Sequence, residues 1–254
     1  MKGMSVVLRS DVGDILHSRA FLIIAIIIGV ITVGVAVSVP IALNWWLAPG
    51  LDWEEAKPLL ELFVGLAVNY VPLTVLFACM ATWATEPIAK EKAKGPIESL
   101  LATPLTAQAV WIGKSLAIFL PAYIIGLIAT VIVILAMNFA SILPATGHFV
   151  LPPPTAVTGF LFLPLLMFAL ISLGVFLSLI TNPVIGQTLV IFIGVILLQL
   201  IGQLGGRITW LLASWDYALY NLAGAALLGV IAFLLSRRFL SKENIILSSK
   251  GKWA

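Results

Sequence analysis

Gly113-Lys114-Ser115 has the ending of a phosphate-binding loop, in which backbone N–H groups and a lysine cradle the phosphates of a nucleotide. The complete loop needs a glycine five residues before Gly113, and the residue there is Gln108. It also needs a buried strand in front, whereas here a short helical stretch precedes it and a long apolar run follows. The nucleotide-binding reading therefore fails, and no other glycine-rich loop competes for it. No carboxylate pair, HExxH or Ser/His/Asp set is present, and His17 and His148 fall at or beyond the ends of apolar runs. No catalytic residue, metal ligand or cofactor is assigned to the chain, and it is not expected to be an enzyme.

The elements around that stretch explain why. The chain has 254 residues, 61% hydrophobic and 10% charged, against about 25% charged in a soluble domain. A soluble fold has too few charges here to cover its outside. The sequence divides into uncharged runs near the roughly 20 residues a helix needs to cross a bilayer. Six spans are read, at 21–43, 59–85, 115–140, 156–180, 184–204 and 217–236. They are helices, because an isolated strand in lipid leaves its backbone groups unpaired, and the alternating segments of a barrel are missing. The fold class is an all-α integral membrane protein, one transmembrane domain over 1–254. The lone cysteine, Cys79, lies inside a span and allows no intrachain disulfide.

Orientation follows from the basic residues. Lys2, Arg9 and Arg19 precede span one; Lys90, Lys92, Lys94 and Lys114 follow span two; Arg237, Arg238, Lys242, Lys250 and Lys252 follow span six. These twelve share one side, against Lys57 and Arg207 on the other. The positive-inside rule makes both termini and the loop after span two cytoplasmic, in the cell membrane. Trp45, Trp46, Trp53, Trp210 and Trp215 fall at outer ends of spans, and Trp83 and Trp111 at inner ends, as interfacial anchors do.

Ahead of span one, Met4, Val7, Leu8, Val12, Ile15 and Leu16 recur at helical spacing, which predicts an amphipathic helix on the cytoplasmic membrane surface within 1–20. Asp11 falls on the same face and weakens the pattern. The following apolar run of 23 residues is too long for a signal h-region and is expected to stay as an anchor. On the outer side, residues 208–215 are apolar but too short to cross, so they are expected to lie in the interface or re-enter.

The connection after span two carries strong helical punctuation. Gly95 suits an N-cap, Pro96 the first helical position, and Glu98 the positive end of the helix dipole. Ile97, Leu100 and Leu101 give an apolar face, and Pro104 disfavours helix at Thr103. Thr106 is placed to cap the next helix, which runs through 107–114 into span three. The expected product is a rigid helical knob at 95–104, held by two spans.

The run 90–114, KEKAKGPIESLLATPLTAQAVWIGK, resembles the signature of ABC transporter permeases of type 2. Lys90, Glu91, Lys92, Gly95, Glu98, Leu100, Leu101, Thr103, Pro104, Gly113 and Lys114 match it position by position. The run departs from it at Pro96, where threonine or serine is usual, and at Ala93, often a charged residue. More weakly, the leader helix, six spans and outer apolar segment match the whole family pattern. The resemblance implies that 95–104 is a coupling helix. It would dock on a separate ATP-binding subunit through Glu91, Gly95, Pro96, Ile97, Glu98, Leu100, Leu101, Thr103 and Pro104. ATP and magnesium would belong to that partner. A second membrane subunit, identical or paralogous, would complete the transporter, with spans one and five forming much of the interface between the two.

Span centres carry no charge, whereas ion-coupled carriers normally place an ionisable group there. Their polar residues are neutral. Thr188, Phe192, Val195, Gln199 and Gln203 share one face of span five, and Tyr70, Thr74, Phe77, Ala81 and Thr85 one face of span two. Such faces suit either a path for an amphipathic substrate (Tyr70, Thr74, Phe77, Thr188, Phe192, Gln199 and Gln203) or interhelical packing. The expected function is ATP-driven export of a hydrophobic or amphipathic small molecule. The alternatives are a membrane component supporting maturation of another protein, or an ion-coupled carrier.

Overall fold

The computed structural model describes residues 4–46, 53–83, 105–181, 188 and 212–250. Those residues form helices and their connections, with no strand among them. In chain order they are α1 (Met4–Leu16), α2 (Arg19–Trp46) and α3 (Trp53–Trp83). Next comes α4 (Ala107–Thr146), which includes a π-turn at Asn138–Ile142. Then follow α5 (Pro153–Ile180), with a π-turn at Thr158–Phe162, α6 (Trp215–Phe239) and α7 (Lys242–Lys250). Five of them, α2 to α6, are long and apolar enough to cross a bilayer, so this is a multi-pass helical membrane protein. The expected span 184–204 apart from Thr188, the segment 95–104 and residues 208–211 lie outside the described residues.

Hydroxyl residues start the helices. The Ser18 hydroxyl accepts from the Phe21 N–H at 3.0 Å and donates to the Ile15 carbonyl at 2.8 Å, closing α1 and opening α2 within two residues. Thr106 accepts from Ala109 N–H at 3.2 Å, as its position before an apolar run predicts. Ser214 and Ser241 do the same for α6 and α7. Trp215 therefore opens α6 rather than closing an interfacial segment.

α4 is the central post, packed by α1, α2, α3 and α5. One apolar cluster fills the end of the bundle that carries Arg19, Lys114 and Arg237, hereafter the basic end; it joins Ile15, Ile24, Cys79, Trp111, Ile118, Phe176 and Ile245. A second fills the opposite end around Leu43, Leu60, Val68, Met137 and Ile142. The two outer helices stay largely uncovered: Ile23, Ile26 and Val30 of α2, and Leu227 and Val230 of α6, are exposed apolar residues.

Both π-turns end just before a proline, and that proline is their cause. Pro144 and Pro164 have no N–H to return to the carbonyls of Ala140 and Phe160, so the helix widens and Leu143 and Leu163 donate five residues back, to Asn138 and Thr158. The carbonyls of Ala140 and Phe160 take side-chain donors instead: Asn44 Nδ2 reaches Ala140 at 3.4 Å, and the Tyr123 hydroxyl reaches Phe160 at 2.9 Å. In hydrocarbon these replacements matter, because no water stands in for a missing donor. Pro72 likewise deprives the Val68 carbonyl, and Gly159 packs against it so closely that an added Cβ would lie 2.9 Å from that oxygen.

Candidate functional site

The segment expected to meet an ATPase subunit, Glu91, Gly95, Pro96, Ile97, Glu98, Leu100, Leu101, Thr103 and Pro104, lies outside the described residues. Its continuation does not. From Thr106 onward the chain is fixed by three ties in about two turns, one of them local and two to neighbouring helices. The cap is the first tie. The Trp111 indole N–H then donates to the Ser172 carbonyl of α5 at 2.7 Å. Lys114 Nζ meets Asp11 Oδ2 of α1 at 3.1 Å, with the lysine side chain 4% and the aspartate 22% exposed. Gly113, between them, is buried.

These contacts change two expectations. Trp111 is not an interfacial anchor: it is 5% exposed and its indole is a crosslink between α4 and α5. Lys114 lies in α4, as the expected helix through 107–114 implies, and Asp11 is its counter-ion rather than a flaw in the leader's apolar face. That face packs on protein. Leu8, Val12 and Ile15 join Ala107, Trp111 and Ile118 in the cluster at the basic end, while Leu16 is 43% exposed. The 40 residues of α4 extend to about 60 Å at 1.5 Å per residue. That is about twice the hydrocarbon thickness, so its first turns have room to carry a lysine at the membrane edge.

The second candidate region lies between spans. α2 and α3 each pack on α4 but barely on one another, which leaves a groove of about 700 Å³ with Val133 at its floor. Its walls come from Ile24 to Val39 of α2 and Phe63 to Ala78 of α3, and Thr32, Tyr70 and Thr74 are its hydroxyl-bearing residues. Tyr70 and Thr74 thus share a cavity as their spacing implies. The Thr74 hydroxyl is turned back to the Tyr70 carbonyl at 2.8 Å, so its proton is already committed. Phe77 does not line the groove but packs against the cluster at the basic end. Thr188 is exposed, and Phe192, Gln199 and Gln203 lie outside the described residues.

Tyr70 also borders a small polar nook with Asn69, Leu73, Leu163 and Tyr217. Asn69 is 2% exposed. Its amide nitrogen donates to the Gly65 carbonyl at 2.7 Å, which fixes the amide orientation. Asn69 Oδ1 and the Tyr217 hydroxyl are both buried without a well-aligned hydrogen bond among the described residues, although the Asn221 side chain lies near enough to the phenol to interact with it. Sequence reasoning passed over both residues. The signal available was Asn69 itself, a primary amide in the middle of an apolar span, a position where polar groups tend to be functional.

Asn138, another amide in an apolar helix, is a contrasting case. It is fully buried, and donates to Ile134 and Val150 carbonyls at 3.0 and 3.2 Å while accepting from Val150 N–H at 2.7 Å. Every polar atom of that side chain is used to hold the loop after α4, so it is structural. Among the described residues no group of His, Cys, Asp and Glu is arranged to hold a metal ion. No protein-family model, curated protein or solved structure matches the chain.

Proposed function

We propose that this chain is the membrane-spanning subunit of an ATP-driven transporter of the type-2 ABC permease kind, an exporter of a hydrophobic or amphipathic small molecule. ATP and magnesium act in a separate ATP-binding subunit. That subunit docks on residues 95–104, and a second membrane subunit completes the assembly in the cell membrane, with both termini of this chain cytoplasmic.

The observation that carries this reading is the run 90–114 together with what holds its end. A displacement delivered at 95–104 reaches Thr106 and enters a helix start tied to α1 through Asp11–Lys114 and to α5 through Trp111–Ser172. Those ties make three helices answer to one input. A floppy connection would absorb the motion instead. The groove beside Tyr70 supports the choice of cargo, since its walls favour hydrocarbon over ions.

The test is co-purification with an ATPase subunit encoded beside this chain, with vesicle transport as readout. Glu98→Lys, or deletion of residues 97–102, is expected to abolish the complex or uncouple its ATPase from transport. A complex that stays fully coupled after the deletion overturns the docking role.

A further inference from the structure

We propose that the α2–α3 groove and the Asn69–Tyr217 nook are two halves of one binding site. Its ligand is an uncharged amphiphile with a flexible aliphatic chain and a hydroxyl head, with the chain in the groove and the hydroxyl in the nook. As a binding site this stands on the geometry alone; as an assignment of cargo class it rests on the transport reading above.

The groove selects hydrocarbon. A cavity of about 700 Å³ walled by isoleucine and valine offers water too few partners to stay, and leaving it empty forfeits dispersion contacts along both helices. It is continuous with the lipid-facing side of α2, where Ile27 and Ile31 are 51% and 55% exposed. An aliphatic chain therefore enters sideways from the bilayer without crossing a polar layer.

The nook selects the head. Asn69 Oδ1 can only accept, because its amide nitrogen is turned to Gly65. The Tyr217 hydroxyl can donate and accept; no well-aligned hydrogen bond holds it or Asn69 Oδ1 among the described residues, and the Asn221 side chain is the polar neighbour closest to engaging the phenol. A hydroxyl is the smallest group that answers both, donating to Asn69 Oδ1 and accepting the Tyr217 proton. Among the described residues no charged side chain lines either cavity, so an ionised head would be buried uncompensated and is rejected. Asn69 stands close to the middle of the expected span 59–85, where each unpaired polar atom lacks water as a substitute.

Tyr70 borders both cavities. The nook as it stands is too tight for a water-sized group. Entry of the hydroxyl therefore requires the nook to widen, and Tyr70 is the lining residue that the two cavities share.

The experiment uses the full chain in nanodiscs with two photoactivatable probes of equal length, a diazirine-bearing hexadecan-1-ol and the matching diazirine-bearing hexadecane. Labelled peptides are read by mass spectrometry. The alcohol is expected to label the peptide containing Tyr70 and Thr74 about tenfold more than the alkane, the scale of two net hydrogen bonds. Asn69→Leu with Tyr217→Phe removes that preference and leaves alkane labelling unchanged, which also reports that the groove is intact. Should the double variant fail to fold, Tyr217→Phe alone, which removes the O–H donor that the proposal assigns to the ligand, lowers the preference at least about threefold. Equal labelling by the two probes in the native chain, or a preference that survives these substitutions, overturns the proposal. Neither outcome touches the ATPase-docking test, and a failed docking test leaves this one unaffected.

Discussion

Asp11 and Lys114, 103 positions apart in sequence, meet at 3.1 Å at the basic end of the bundle. The pair joins the leader helix to the first turns of the central helix. A buried ion pair contributes little net stability over a well-packed apolar pair, because desolvation offsets the attraction. Its effect is on arrangement: it ties the charge on Lys114 to the docked position of α1.

Removing one partner should therefore cost more than removing both. Asp11→Asn is expected to destabilise the purified chain by about 2–4 kcal/mol. The double substitution Asp11→Leu with Lys114→Met should recover most of that loss. Thermal unfolding in detergent measures both. If the pair also transmits motion, the double variant regains stability but couples ATPase to transport poorly. Equal losses for the single and double variants would contradict the arrangement.

Gly159 should tolerate no side chain. A methyl there would land on Val68 Cγ1 and within 2.9 Å of the Val68 carbonyl oxygen, both on α3. Gly159→Ala is expected to cost about 1–3 kcal/mol, the usual penalty of overpacking. Gly126→Ala makes the control. Its new methyl would sit 3.5 Å from Pro72 Cα and 3.6 Å from Val75 Cβ, ordinary contact distances, so its melting temperature should barely move.

The Tyr123 hydroxyl serves a carbonyl orphaned by Pro164, which predicts a coupled pair. Tyr123→Phe leaves the Phe160 oxygen without its 2.9 Å donor and should cost about 1–2 kcal/mol. In a Pro164→Ala background the restored backbone N–H can supply that oxygen, and the same substitution should cost markedly less. A double-mutant cycle on unfolding free energies reads the difference. Additive effects would mean that the hydroxyl does not replace the missing helical donor.

Orientation is testable with engineered thiols, because the native background is quiet. Cys79 is the lone cysteine and fully buried in α3, so a membrane-impermeant maleimide should leave it unlabelled until the chain is denatured. Phe149 and Arg9, both exposed, lie at opposite ends of the bundle. In intact cells Phe149→Cys should be labelled at once, and Arg9→Cys only after permeabilisation. The reverse pattern would invert the proposed topology.

Much of this architecture was legible because its causes are local. Uncharged runs of about 20 residues demand a bilayer and a helix whatever surrounds them. Thr106 caps α4 because a hydroxyl three residues before a free N–H suffices, with no tertiary contact needed. The spacing of Tyr70 and Thr74 likewise put them on one cavity, since helical periodicity is a property of the segment alone.

What the sequence alone did not determine is who partners whom across the bundle. Asp11 read as a defect in an apolar face until Lys114 stood opposite it, and Trp111 read as an interfacial anchor until its indole met Ser172. The prolines announced broken helical bonds, but only packing decided that Asn44 and Tyr123 would supply Ala140 and Phe160 while Gly159 closed on Val68. Phe77 left the expected path for the core, and Asn69 with Tyr217 gained significance by facing one nook. Composition and periodicity fix a helix and its faces, because those depend on near neighbours. The choice of donor for each orphaned oxygen, or counter-ion for a buried charge, depends on which helices pack together, and the tertiary structure made it.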